Sequence, residues 1–253
     1  MTPKLQAITK GSQVIDKIFW ELLKILSARG GSESMMLGLS PSKLLSSGGK
    51  PERNLTEKSL ASFIKRRAKE LGAQGMAFPP IVSFGESSAE IHHKPNHTRI
   101  GKNNFLMLDY GVKVQGFCSD FTRTLFLGTP TKQQAQIYNI VLTAQAAAIK
   151  KLAVGKTGDE IDFAARHVIN KAGFGKLYNH GTGHGVTQKI HDLPNFKPSS
   201  GDVIRQGHIV TIEPGIYLPK KYGIRIEDMV IVSHKSKILS KVPKDFKSMI
   251  IKI

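Results

Sequence analysis

Residues 106–124 read LMLDYGVKVQGFCSDFTRT. Two apolar runs flank a polar centre, and the pattern predicts two antiparallel strands joined by a turn near residues 113–116. Two acids, Asp109 and Asp120, lie on either side of that turn. Carboxylates are rarely buried unless they are paired or bound to a cation. Because antiparallel pairing would bring these two carboxylates together, we expect a metal ion to relieve their repulsion.

The composition bounds the class of protein. The chain has 253 residues, 40% of them hydrophobic, and a formal net charge of +18. A basic chain can attract nucleic acid, but the lysines are scattered and not interleaved with aromatic residues, so we expect no nucleic-acid partner. No apolar run reaches the ~18 residues that suggest a membrane span, so we expect no membrane partner. The single cysteine, Cys118, and the lack of a secretory signal at the start favour a cytoplasmic location.

The periodicity predicts one α+β domain. Helical spacing of apolar residues and threonine N-caps predict four helices, at residues 8–27, 55–73, 131–155 and 157–175. Between the first two, residues 27–54 are rich in Ser, Gly and Pro and are predicted to form an insertion or loop. Short β-like segments follow the helices in both halves of the chain, as a duplicated unit with a mostly antiparallel sheet would give.

Three more carboxylate or imidazole side chains, which are able to bind metals, occur downstream. Each lies in an apolar segment that also contains glycine or proline. They are His184 in GTGHGVT, Glu213 in VTIEPGIY and Glu227 in GIRIEDMVIV. Together with the two aspartates they make a set of carboxylates and one imidazole. This set suits two divalent ions of the manganese, iron, cobalt or zinc kind better than a thiolate-bound structural zinc. Two such ions can lower the pKa of a bridging water.

These segments resemble the dinuclear metallopeptidases of the pita-bread fold, specifically the Xaa-Pro aminopeptidase and proline dipeptidase branch. The resemblance runs from about Ile8 to the C-terminus, through GMAFPPIVSFGESSAEIHH, GTGHGVTQKIHDLP and EPGIYLPKKYGIRIEDMVIV. It implies pseudo-twofold α/β repeats around a central, curved antiparallel sheet, in one catalytic domain over residues 1–253. The extra N-terminal domain usual in proline-specific members is expected to be absent, which leaves a homodimer open.

The resemblance also implies the metal ligands. Asp109 would chelate one ion, and His184 and Glu213 would bind the other. Asp120 and Glu227 would bridge both. The implied cofactor is a pair of divalent ions, with manganese first and cobalt, iron or zinc as alternatives.

Catalytic roles follow from the same resemblance. Glu213 would shuttle a proton for the attacking water, and Arg225 would hold a bridging acid by charge-assisted hydrogen bonds. His92 would contact substrate and intermediate, with His93 as the less favoured neighbour, and His191 matches the second histidine of this kind. The run SSAEIHH departs from the family's usual NAALPHY-like run, so the wall near His92 is expected to differ.

The expected reaction is hydrolysis, by a hydroxide held between the two metals, of the bond between an N-terminal residue and a following proline. The expected partner is a short peptide with proline in second position. Methionine aminopeptidase-type activity is an alternative, although no HGIP-like run is present. An alternative of another class is a non-catalytic pita-bread protein that binds protein or nucleic acid. A third alternative keeps the site but acts on a small molecule, as creatine- or ectoine-type hydrolases do.

Overall fold

The computed structural model describes residues 2–30 and 55–253. The predicted insertion therefore lies mostly outside the described residues, and only residues 27–30 of it are described. All four predicted helices are present: α1 (Pro3–Ser27), α2 (Glu57–Glu70), α3 (Lys132–Lys151) and α4 (Gly158–Lys171). Each begins after a threonine whose hydroxyl accepts a hydrogen bond from a backbone N–H of the first turn. A short 3-10 helix, Ala28–Gly30, follows α1.

The strands form two main sheets in the described part of the chain. The first-sheet strands are β2 (Ile81–Phe84), β3 (Asn104–Asp109), β6 (Thr122–Leu127) and β14 (Ile250–Ile251). The second-sheet strands are β7 (Gly183–Gly185), β8 (Asp192–Phe196), β9 (Ile209–Ile212), β12 (Asp228–Ile231) and β13 (Lys237–Ile238). The first sheet has the order β14-β6-β3-β2 and the second has the order β13-β12-β9-β7-β8. Every pair is antiparallel except β14 with β6.

The predicted hairpin is present but is more elaborate than expected. The strands β3 and β6 pair so that Asp109 lies opposite Thr122, not opposite Asp120. Between them, β4 (Val112–Val114) and β5 (Phe117–Cys118) form a second hairpin that pairs with β1 (Gly75–Met76) in a separate sheet. Its two-residue turn has positive φ at Gln115 (49°) and at Gly116 (81°), which is the twist that tight hairpins prefer.

Helices cover the sheets in two similar halves. In the first half, α1 packs on β4 and β5, and α2 packs on β1 and β2. In the second half, α3 and α4 pack against each other, and they contact β8, β9 and the hairpin of β10 (Gly215–Leu218) and β11 (Tyr222–Arg225). An isolated antiparallel bridge between Thr122 and Glu227 connects the two halves. This arrangement agrees with the predicted α+β class.

None of the helices in the described ranges has the length and apolar character needed to cross a membrane.

Candidate metal centre

A cavity of about 530 Å³ is lined by residues of both main sheets. The bridge between Thr122 and Glu227 places the facing ends of β6 and β12 at this cavity. Every residue predicted for the site lines it: His92, Asp109, Asp120, His184, His191, Glu213, Arg225 and Glu227. The fold thus brings together side chains that are up to 135 positions apart in the chain, which is the separation of His92 and Glu227.

Three acids form the centre of the site. Asp109, Asp120 and Glu227 are buried, and each offers a carboxylate oxygen that lies within 4.8 Å of the other two. Burial and the charge of Asp109 raise the pKa of Asp120 well above its ordinary value, and burial with the charge of Asp120 does the same for Glu227. Within residues 2–30 and 55–253, Asp109 Oδ1 and Glu227 Oε1 have no hydrogen-bond partner. Converging acids with orphaned oxygens fit a divalent cation.

His184 and Glu213 extend this cluster. His184 Nε2 lies 3.3 Å from Glu213 Oε1 and 3.7 Å from Asp120 Oδ2. His184 Nδ1 lies 3.1 Å from the carbonyl oxygen of Gly185, which directs Nε2 towards the acids. Burial opposes the charge on His184, but Glu213 and Asp120 outweigh it and raise the pKa of His184 to about 9. Burial likewise opposes the charge on Glu213, but His184 lowers the pKa of Glu213 to about 2.

Strand β7 needs glycine next to His184. A Cβ atom at Gly183 would lie 2.0 Å from the carbonyl oxygen of Thr211 on β9. The close approach lets the backbone N–H of His184 donate to Thr211 Oγ1 at 3.0 Å, and Thr211 Oγ1 donates to Glu213 Oε1 at 3.1 Å. One threonine therefore holds both the histidine and the glutamate.

A second threonine holds Glu227. Thr122 Oγ1 donates to Glu227 Oε2 at 2.6 Å, and the backbone N–H of Glu227 donates to the Thr122 carbonyl at 3.1 Å. The neighbouring Arg123 is buried and donates to the carbonyl oxygen of Glu227 at 2.5 Å and to Asp228 Oδ1 at 2.6 Å. Glu227 is thus fixed through its side chain and through its backbone.

Arg225 differs from the prediction in its partner. Its carboxylate partner is Asp109, not one of the acids expected to bridge, and it approaches Glu227 only through Thr122 Oγ1, 3.4 Å from Arg225 Nε. The reason is the strand geometry. Strand β11 packs against β3, and Asp109 is the last residue of β3. Arg225 Nη1 also donates to Tyr217 Oη at 2.7 Å.

Several polar residues around these acids were not predicted from the sequence. They are Thr122, Thr211, Tyr217 and His180. His180 Nε2 lies 2.9 Å from Tyr217 Oη, and burial lowers the pKa of His180 to about 4, so the ring is neutral. Its position four residues before His184, in HGTGHG, is a sequence signal that could have found it.

The other three histidines named from the sequence differ in their exposure to solvent. His92 and His191 are exposed towards the cavity, and the His191 ring centroid lies 4.4 Å from that of His184. In the part of the chain that the structure describes, neither ring nitrogen of His92 has a hydrogen-bond partner. His93 is buried, with Nδ1 2.9 Å from Glu90 Oε2 and Nε2 2.7 Å from Glu57 Oε2. Of the adjacent pair His92 and His93, His92 is therefore the one available to a ligand.

Known proteins match this chain over most of its length. The model of metallopeptidase family M24 matches residues 9–234. The Xaa-Pro dipeptidase of Pyrococcus horikoshii is 37% identical over 190 residues, which cover 75% of this chain and 54% of that relative. An uncharacterized peptidase of Staphylococcus epidermidis is 37% identical over 182 residues, covering 72% of this chain and 52% of that relative. The chain spans about half the length of the curated relatives it matches.

Solved structures agree with the family match. A prolidase from Thermococcus sibiricus has a TM-score of 0.83 and 33% identity, covering 99% of this chain and 61% of its own. An X-Pro aminopeptidase from Thermotoga maritima has a TM-score of 0.83 and 27% identity, covering 99% of this chain and 63% of its own. These likenesses confirm the predicted pita-bread fold and the predicted resemblance to the proline-specific branch. The chain belongs to metallopeptidase family M24.

Proposed function

We propose that this chain is a metal-dependent peptidase that hydrolyses the bond between an N-terminal residue and a following proline. The observation that carries the proposal is the convergence of Asp109, Asp120 and Glu227 beside the His184–Glu213 pair. Relatives described as Xaa-Pro dipeptidase, prolidase and X-Pro aminopeptidase support it. The substrate we propose is a short peptide with proline in second position.

We assign two divalent ions to the acid cluster, with manganese first and cobalt, iron or zinc as alternatives. The orphaned oxygens of Asp109 and Glu227 would supply ligand atoms, and Asp120 has one oxygen within 4.8 Å of those two acids and one 3.7 Å from His184 Nε2. Asp120 and Glu227 would be shared by both ions, as the sequence resemblance implies. When bound, such ions acidify a water molecule and polarise the substrate carbonyl. The mixed carboxylate and imidazole set suits several metals, so metal availability decides which is used.

The remaining groups act on protons and on the substrate. Glu213 is the most exposed of the acids, with 18% of its side chain accessible against 10% for Asp109 and 7% for Asp120. This exposure supports the proposal that Glu213 would take a proton from the attacking water and return it to the leaving amine. His92 and His191 face the same cavity and would donate hydrogen bonds to the substrate carbonyl and the developing oxyanion.

The cavity wall suits a proline ring. An apolar part of the cavity lining is formed by Phe78, Pro79, Pro80 and Ile91. Apolar walls with a few polar groups are typical of small-ligand sites. A ring without a backbone N–H leaves no donor unsatisfied against such a wall.

Metal analysis combined with peptide assays tests the proposal. We expect the manganese-loaded protein to release the first residue from Xaa-Pro dipeptides and to turn over Xaa-Ala analogues poorly. In Asp120→Ala, the bound metal should fall sharply and activity should be lost. Asp159→Ala, which removes an exposed acid in α4, is the matched control and should keep both. A protein that binds two equivalents of metal yet cleaves no Xaa-Pro peptide would contradict the proposal.

A further inference from the structure

A buried glutamate outside the acid cluster organises the segment that carries His92. Glu57, in the first turn of α2, has a side chain with no solvent exposure. Its Oε1 accepts hydrogen bonds from the backbone N–H of Phe84 at 2.8 Å and from Ser87 Oγ at 2.5 Å. Its Oε2 accepts from the backbone N–H of Asn96 at 3.1 Å and lies 2.7 Å from His93 Nε2. All four partners belong to residues 84–96.

His93 is held between two acids. Its Nδ1 lies 2.9 Å from Glu90 Oε2, and its Nε2 contacts Glu57. An ionised carboxylate only accepts hydrogen bonds, so both contacts are satisfied together when both ring nitrogens donate, as they do in the imidazolium form. Burial opposes this charge, but the two glutamates outweigh it and raise the pKa of His93. The contact between His93 and Glu57 therefore holds residues 84–96 against the first turn of α2.

Residues 84–96 need such anchors because regular structure is sparse there. A 3-10 helix covers Gly85–Ala89, and no helix or strand covers residues 90–96. A segment of this kind depends on side-chain hydrogen bonds for its shape. On its other side, Ile91 offers its carbonyl to Arg225 Nη1 at 3.4 Å. His92 lies between this contact and His93, and its own ring faces the cavity.

We propose that Glu57 and His93 form a positioning pair, which fixes the backbone of residues 84–96 so that His92 meets the substrate in one orientation. Neither residue touches the acid cluster through a hydrogen bond in the described part of the chain, so they act through His92. This inference rests on the proposed function, because it assigns His92 a role in that reaction. A misplacement of about 1 Å at a reacting group can cost on the order of 100-fold in rate.

Glu57→Gln tests the pair because it keeps the shape and removes the charge. We expect kcat on an Xaa-Pro dipeptide to fall by about 10- to 100-fold, with the metal content unchanged. The decisive comparison is with His92→Ala. If Glu57 acts through His92, the double variant Glu57→Gln/His92→Ala should be no slower than His92→Ala alone. Full additivity of the two losses, or a Glu57→Gln variant as fast as the parent, would overturn the proposal.

Glu90→Gln is the matched control. Its carboxylate contacts the other nitrogen of His93 but is 71% exposed, so water can replace it, and we expect a change of about twofold or less. If Glu57→Gln does not fold, His93→Gln tests the same pair, and the same non-additivity with His92→Ala is expected. Additive losses there would overturn the proposal equally.

A spectroscopic measurement separates this inference from the proposed function. Proton NMR of the parent protein should show low-field ring N–H signals from His93, protected from exchange with water, and Glu57→Gln should lose the Nε2 signal. A parent protein without Xaa-Pro turnover would contradict the proposed function, while these signals would still test the anchoring. Absence of protected His93 ring protons in the folded parent would overturn the positioning pair.

Discussion

Thr122→Val isolates one hydroxyl of the metal centre. Valine has nearly the same shape as threonine, so the change removes the donor to Glu227 Oε2, 2.6 Å away, without opening a cavity. Both side chains are buried, so water does not replace the lost donor. Since Glu227 Oε1 already has no partner in the described residues, the variant leaves this carboxylate without any side-chain hydrogen bond.

The size of the effect follows from the charge on Glu227. A hydrogen bond to a charged group contributes about 1.5–3 kcal/mol. At about 1.4 kcal/mol for each factor of ten, this corresponds to roughly 10- to 100-fold in metal affinity. Loss of a residue that orients a metal ligand typically costs the same 10- to 100-fold. The two estimates agree, and we expect the manganese Kd of Thr122→Val to rise by that factor.

Equilibrium dialysis with manganese measures this change directly. Thermal unfolding at a fixed manganese concentration gives a second measurement, because the stabilisation by a ligand falls as its Kd rises. Thr143→Val is the matched control, since Thr143 lies on the exposed face of α3. If Thr122→Val binds manganese as tightly as the parent protein, Glu227 does not hold metal in the way inferred from the structure.

Four further outcomes are expected. Arg123→Met should lower the free energy of unfolding in urea by about 3 kcal/mol, because it removes the ion pair to Oδ1 of the buried Asp228, while Lys244 contacts only Oδ2. Gly183→Ala should lower both Tm and metal content, since its Cβ would lie 2.0 Å from a carbonyl oxygen of β9. In chelator-treated protein, the free energy of unfolding should fall between about pH 7 and pH 9, by up to about 1.4 kcal/mol per pH unit. The reason is that the pKa of His184 is raised to about 9, so the protonated ring stabilises the fold only below that pH. Manganese should remove this pH dependence, since the metal binds the neutral ring. Iodoacetamide should leave Cys118 unmodified by mass spectrometry until urea is added, because burial raises the pKa of the thiol.

The elements and the acid cluster could be predicted because their signals are local. Threonine caps such as Thr56 and Thr131 mark helix starts within a few residues. Acids inside apolar strands, such as Asp109 and Glu227, are recognisable from their apolar neighbours in the sequence, whatever the packing of the strands. Such residues are visible without knowledge of what lies opposite them.

The partners of those residues could not be predicted, because they depend on strand register and on packing between distant segments. Nothing in the sequence places Asp109 opposite Thr122 or directs Arg225 to Asp109. Threonine is common in strands because of its shape alone, so the sequence does not indicate that Thr122 and Thr211 donate hydrogen bonds to acids. The turn near residues 113–116 could be predicted, but the separate sheet that β4 and β5 form with β1 could not, since β1 lies almost forty residues away.

The clamp formed by Arg123 ties the tail of the chain to the metal centre. The same guanidinium that donates to the Glu227 carbonyl also donates to the carbonyl oxygens of Val242 and Pro243, each at 3.0 Å. An exopeptidase that trimmed the protein back past these two residues would strip acceptors from a buried cation that touches a proposed ligand. Removal of Val242 and Pro243 would therefore weaken the hold on the proposed ligand Glu227, although neither residue lines the cavity.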